Sequence, residues 1–288
     1  MFAITNTMNA SEAKTAYQNG SETATIAESK MLSLIKGETI KINATTVENN
    51  GFIKTNQDGS DALQIIAANQ TNNGAIKAQN IYLQGTEIRN FGTMTFGNLN
   101  LIAPGGVVVN AGTLMGGAIT TVAPNIQFTG KSVTKADAIT LQTNGKIQSD
   151  GTVAFGVLLI DGRNATVINN GAWSGSAIQS NATNVLFTGK SVTKADTIAL
   201  QTNGTVQSDG KLTFGTLILD ASKATVVSNG TLTGTTIVGS VGNGTFSSTS
   251  VTKVANMALK TSGNIEADGR LDSAWQIGRM LKQKIYIR

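Results

Sequence analysis

Carboxylates are the first candidates for chemistry, because the chain of 288 residues contains neither histidine nor cysteine. Those two absences exclude Ser-His-Asp and Cys-His nucleophiles, HExxH zinc sites and imidazole acid/base catalysis. Asp150, Asp209 and Asp268 recur at a constant interval, each immediately before a glycine (Gly151, Gly210 and Gly269). Asp137 and Asp196 share that interval, as do Asp161 and Asp220. A catalytic carboxylate pair belongs to one cleft, whereas residues that repeat with the architecture belong to its turns, and Asp-Gly is a turn dipeptide. The acidic residues are therefore read as turn formers, with no catalytic residue assigned.

Two further strings imitate binding motifs. Thr129–Ser132 and Thr188–Ser191 both read TGKS, the last half of a phosphate loop, but Asn125 and Asn184 stand where its first glycine belongs. Gly242, Gly244 and Ser247 imitate a dinucleotide fingerprint without its third glycine or its strand-then-helix context. The calcium-binding nonapeptide of β-rolls is absent as well. The expectation is no cofactor and no metal.

Lysine gives the one repeated candidate for contact. Lys135, Lys194 and Lys253 recur at the same interval as the aspartates, and Lys131 and Lys190 lie close by. They are expected to form a basic row down one face, spaced about 14 Å if that interval is three stacked turns. That spacing exceeds a Debye length of roughly 8 Å, so a small ligand gains little from the neighbours while a long polyanion such as a sulfated glycan bridges them. The plainer reading of the same row is a solvated face.

The elements that would position these residues emerge from self-similarity. FTGKSVTKADAITLQTNGKIQSDGTVAFG begins at Phe128 and FTGKSVTKADTIALQTNGTVQSDGKLTFG at Phe187, with seven differences in twenty-nine positions. This 59-residue interval continues through Val251, Leu259 and Gly263, and it reaches back to Ile88, Gly92, Phe96 and Leu99. Within it a shorter step separates Gly92 from Gly112, Gly151 from Gly171, and Gly210 from Gly230, most of them just after Asn or Asp. That step is one third of the longer interval. Short Val/Ile/Leu/Phe/Thr runs lie between these corners, which is a strand signal.

A turn of about 20 residues built from such runs cannot bury its apolar side alone, but stacked copies make a continuous core. The fold class read from the sequence is all-β: a right-handed parallel β-helix of about a dozen turns spanning residues 37–271, of the order of 55 Å long. Each 59-residue copy is a three-turn block whose turns differ, so like does not touch like at every turn. Phe96, Phe155 and Phe214 are expected in one interior slot, and Phe128, Phe187 and Phe246 in another. A propeller needs blades of roughly 40–50 residues, which the shorter step does not support.

Both ends depart from the pattern. Residues 1–36 are read as an N-terminal cap or irregular segment, with helix-friendly composition at Ser11–Tyr17 and Ala27–Leu34. Residues 272–288 are read either as an amphipathic cap helix, with Leu271, Trp275, Leu281 and Ile285 on one side, or as chain leading out of an open repeat array.

Composition narrows the class further. The chain has 32 glycines, 14% charged residues and a formal charge of +5, too weak and scattered to suggest nucleic acid. It lacks the roughly 18 apolar residues in a row that a membrane span requires. Its N-terminal stretch lacks the basic start and apolar run of a secretory signal, so export would imply either a missing leader or a fragment of something longer.

The alternation of Asn-Gly or Asn-x-Gly corners with short apolar strands, as in VVVNAGTLMGGAI and TVINNGAWSGSAI, resembles the repeat region of filamentous haemagglutinin-like adhesins over roughly residues 40–270. This resemblance implies a right-handed parallel β-helix and export by two-partner secretion, which involves an outer-membrane transporter. It also implies a cell-surface role in adhesion, biofilm formation or toxin display. The family's NPNG-type secretion motifs are missing. The functional expectation is a non-enzymatic extracellular adhesive scaffold contacting a glycan or protein of a host or neighbouring cell. The alternative is a carbohydrate-active β-helix, meaning a polysaccharide lyase, hydrolase or phage tailspike. Against it stand even turns without long insertions, and only Trp173 as a Trp platform between Asn80 and Leu271.

Overall fold

The computed structural model describes residues 2–4, 23–26, 28, 31–33, 39–54, 62–275 and 285–287. Every element in them is a β-strand, and every strand pair with a defined register is parallel. The chain is a parallel β-solenoid of about 12 turns roughly 20 residues apart, as the periodicity predicts. It forms two compact units, Met1–Gln142 and Thr143–Arg288.

In the second unit each turn has three faces. Residues 152–155 make the first face, 157–161 the second and 166–169 the third, all within the long strand Thr152–Asn169. Side chains alternate between interior and solvent along each face, as a pleated strand requires. The alternation slips at residue 156, a one-residue corner that the register with the next turn skips. Successive turns start at Thr152, Ala172, Val192, Lys211, Thr231, Val251 and Arg270, so that two equal steps are followed by one shorter by a single residue, twice over. The 59-residue interval is thus three turns.

Corner lengths produce that rhythm. Between the second and third faces, the corners are 162–165, 182–183 and 202–204, then 221–224. Between the third face and the next turn they are 170–171, 188–191 and 209–210. The turn with the shortest corner on one side carries the longest on the other, so turn length hardly changes while the outline does.

Interior slots alternate in volume. Phe155 and Phe214 are buried and stand in register with Gly175 and Gly234 of the next turn. A Cβ at Gly175 would lie 2.1 Å from the Phe155 ring, so the glycine makes room for the aromatic. Ala195 and Val254 complete the two sets. The other expected slot is also filled, by Phe187 and Phe246, and Trp173 meets Phe187 edge-on at 6.3 Å between centroids. Unlike residues stack here because a planar ring needs slack above it that a second ring would not leave.

The first unit is less regular. First-face registers run Met31, Phe52, Ala75, Thr93, Thr113 and Val133, and only the last two of those steps are equal. Phe96 and Phe128 are buried as expected, with Gly116 beside Phe96. One column stacks like on like through four turns: Asn49, Asn72, Asn90 and Asn110 stand in register at the last corner of each. All four are buried, and each Nδ2 donates to the next Oδ1 at 2.7, 2.7 and 2.8 Å. Asn110 ends the ladder on the Thr134 hydroxyl at 3.0 Å, because Phe128 occupies the next place. The Oδ1 atoms of Asn49 and Asn110 also accept from the backbone N–H of Gly51 and Gly112, which closes each corner. Glycine is needed there: a Cβ at Gly92 would lie 1.9 Å from the carbonyl oxygen of Gly74.

The ends also differ from the sequence reading. Phe2–Ile4, Thr23–Ile26 and Met31–Ser33 are strands in parallel register with later turns, so the irregular N-terminal segment contains solenoid strands. Arg270–Trp275 is a strand, not the start of a cap helix, and Ile285–Ile287 pairs with Ile265–Ala267. The backbone edge of Val251–Thr261 accounts for this, since pairing with it satisfies more N–H and C=O groups than a separate helix would. Ser11–Tyr17 and Leu281 lie outside the described residues.

Candidate functional site

The acidic residues singled out by their repetition are held by the corners. Asp150 accepts from Asn170 Nδ2 at 2.5 Å and from Gln148 Nε2 at 2.8 Å, one bond on each oxygen. Asp209 repeats this with Asn229 and Gln207, both at 2.7 Å. These carboxylates tie one turn to the next, as turn formers should. Asp137 and Asp196 sit exposed at one-residue corners, and Asp161 is likewise exposed. Asp220 accepts from Gln201 Nε2 at 3.2 Å.

The two imitated motifs are corners as well. In Thr129–Ser132 the backbone N–H and the hydroxyl of Ser132 both donate to the carbonyl oxygen of Thr129, at 2.9 and 2.8 Å. Ser191 does the same to Thr188, at 2.8 Å in each bond. The loop folds on itself and leaves the lysine outside. Gly242 and Gly244 are buried within the strand Thr231–Phe246.

All five lysines proposed from the sequence are exposed. In the first unit, Lys135 shares an outward column with Met115, Thr95, Lys77 and Lys54, and Lys131 is at the tip of the preceding corner. In the second unit, Lys194 and Lys253 occupy one outward column of the first face, separated by Thr213 and Thr233. That is three turns, or about 14 Å. Lys190 is at the tip of the four-residue corner that leads into Lys194's strand.

Register adds a residue that the 59-residue interval conceals. Lys211 stands opposite Val192, one turn from Lys194 and two residues across, a diagonal of about 8 Å. The interval failed to flag it because its counterpart in the preceding copy is Thr152. Lys194 and Lys211 therefore lie within about a Debye length of each other, and the corner that carries Lys190 borders Lys211, whose N–H donates to the carbonyl oxygen of Ser191 at 3.0 Å. Arg270 has the same relation to Lys253, but Asp272 pairs with it at 3.1 Å.

The second face is different in character. Its edge column, Asp161, Asn181, Gln201, Asp220, Ser240, Lys260, carries charge, but the other two outward columns in the second unit read Val157, Ala177, Thr197, Thr216, Thr236, Asn256, and Leu159, Gln179, Ala199, Ile218, Val238, Ala258. No charge interrupts either. Among the described residues no group of three or more Asp or Glu could hold a metal ion, and no helix is long and apolar enough to cross a membrane.

Compared with family models, curated proteins and solved structures, the chain matches none. What its geometry defines is a parallel β-solenoid with one face bearing spaced cations.

Proposed function

We propose that this chain is a non-enzymatic scaffold module of an extracellular, adhesin-like protein, which contacts glycan or protein partners through the repeated outer face of its solenoid. The observation that carries the reading is the register of Lys194 with Lys253, which sets two equivalent cations of the second unit in one column, three turns apart. Such an array holds a long ligand by many weak contacts, each a rim-type charge worth little alone. The turn-bound state of Asp150 and Asp209 agrees with it, since a carboxylate with both oxygens occupied is poorly placed to move a proton. The corner pattern's resemblance to haemagglutinin-like repeats supports an export route by two-partner secretion and a place at the cell surface.

The test is retention on a heparin-type column. Replacing Lys135, Lys194 and Lys253 by Gln is expected to abolish retention of the full chain, and adding Lys190→Gln and Lys211→Gln to leave nothing further to lose. Unchanged elution of the triple variant refutes the lysine face. Steady release of reducing or unsaturated ends from acidic polysaccharides would replace the scaffold reading with the carbohydrate-active one.

A further inference from the structure

The corner lengths that set the 59-residue rhythm also build a notch. In the second unit, the long corners 162–165 and 221–224 project two residues beyond the register of the next turns, which shifts at Gly162/Thr166 and at Ala221/Thr225. Between them lie the short corners 182–183 and 202–204. Two walls about 14 Å apart thus enclose a recess of about 350 Å³. That volume is at the lower end of the roughly 300–1,000 Å³ of small-ligand sites.

The walls are pinned. Thr183 Oγ1 donates to the carbonyl oxygen of Arg163 at 2.6 Å, and Ser262 Oγ donates to that of Ser222 at 3.1 Å. Gly162 lets the first corner fold tightly, since a Cβ there would lie 2.7 Å from that of Ala165. The floor is held too: Thr202 Oγ1 donates to the carbonyl oxygen of Thr183. A ligand entering this recess would order little of the protein.

Chemistry selects the occupant. The lining is Asn181, Gln201, Asn203 and Asp220, with Arg163 on one wall and Lys223 on the other. Amides donate and accept together, which matches vicinal hydroxyls, and no aromatic or large aliphatic side chain offers an apolar anchor. Asp220 already accepts from Gln201, while neither Arg163 nor Lys223 is ion-paired among the described residues. We infer that this notch is a binding site for a short oligosaccharide carrying carboxylate groups, its hydroxyls on the amide floor and its acidic groups toward Arg163 and Lys223.

The inference deepens the adhesive reading and rests on it, but it concerns a different surface from the lysine face. The probes are a trisaccharide of uronic acids, neutral maltotriose and a single-stranded trinucleotide, titrated into the full chain and followed by calorimetry. The uronic trisaccharide is expected to bind at least tenfold more tightly than maltotriose. Arg163→Gln with Lys223→Gln should remove that preference, and Asn203→Ala should weaken both sugars. Lys194→Gln with Lys253→Gln should change neither, although it lowers heparin retention. The inference is overturned if the wild-type chain binds neither sugar, if the Arg163/Lys223 variant binds as well as wild type, or if the trinucleotide binds best. Heparin retention that persists in any of those cases leaves the adhesive reading standing.

Discussion

At the corner that closes each turn, the two units solve one packing problem in opposite ways. The first unit stacks Asn49, Asn72, Asn90 and Asn110 before a single ring, Phe128, and the second fills the same kind of column with Ser149, Asn169, Phe187, Ser208, Ser228 and Phe246. An asparagine ladder needs an identical partner above and below, because each amide donates one way and accepts the other. It tolerates uneven turns, since the Asn-x-Gly corner keeps its shape while segments elsewhere in the turn change length by several residues. The aromatic column demands the reverse: Phe187 and Phe246 need chosen neighbours, and hence turns repeated in strict order. Regular spacing in the second unit and irregular spacing in the first are the two consequences.

Breaking the aromatic column should have the largest effect. Phe187→Ala, at a fully buried ring in contact with Trp173, is expected to cost about 3–5 kcal/mol in urea unfolding. Breaking the ladder should cost less. Asn72→Leu keeps the number of side-chain heavy atoms but orphans Asn49 Nδ2 toward Asn72 and Asn90 Oδ1, at about 1–3 kcal/mol for a fully orphaned group. Asn49 keeps a long bond to the carbonyl of Ala75, which holds the expected loss over the two groups to about 2–4 kcal/mol. Hydrogen exchange should place the loss at turns next to Asn72 and leave residues 143–275 protected, as nearest-neighbour stacking requires. Faster exchange throughout both units would show that the ladder is not a local device.

The smallest effect is expected within the second unit. Asn169 donates to the Thr193 hydroxyl at 3.0 Å, and Trp173 Nε1 donates to Ser149 at 2.9 Å. One copy later Ser228 and Leu232 replace Asn169 and Trp173, and the buried hydroxyls of Ser208, Ser228 and Thr252 make no hydrogen bond. Ser228→Asn should restore the bond to Thr252 and raise stability by about 0.5–1.5 kcal/mol in the same urea assay. No gain would mean that the column has closed over the missing amide.

Much of this was legible in the residues. Phe155 and Phe214 predicted a buried slot because the repeat and the strand alternation agree there, and Asp150 and Asp209 predicted corners because Asp-Gly has a backbone reason to be one. The asparagine ladder was not legible, since Asn49, Asn72, Asn90 and Asn110 are unequally spaced along the chain and no single interval connects them. Lys211 stayed hidden because its neighbour Lys194 belongs to the preceding turn, and only the register brings the two together. The N-terminal strands escaped notice for the same reason as the ladder, as the longer turns that begin at Met31 and Phe52 blur the period.

The amino-acid sequence by itself determined a parallel solenoid of short stacked turns, its three-turn block and its buried rings, because those depend on strand period and apolar content. Tertiary structure alone decided the notch between Arg163 and Lys223 and the continuity of the amide ladder. Both depend on which residues meet across turns. A corner of two residues offset by one of four leaves the spacing of the repeat unchanged, and only the stacked backbone reveals where the extra residues project.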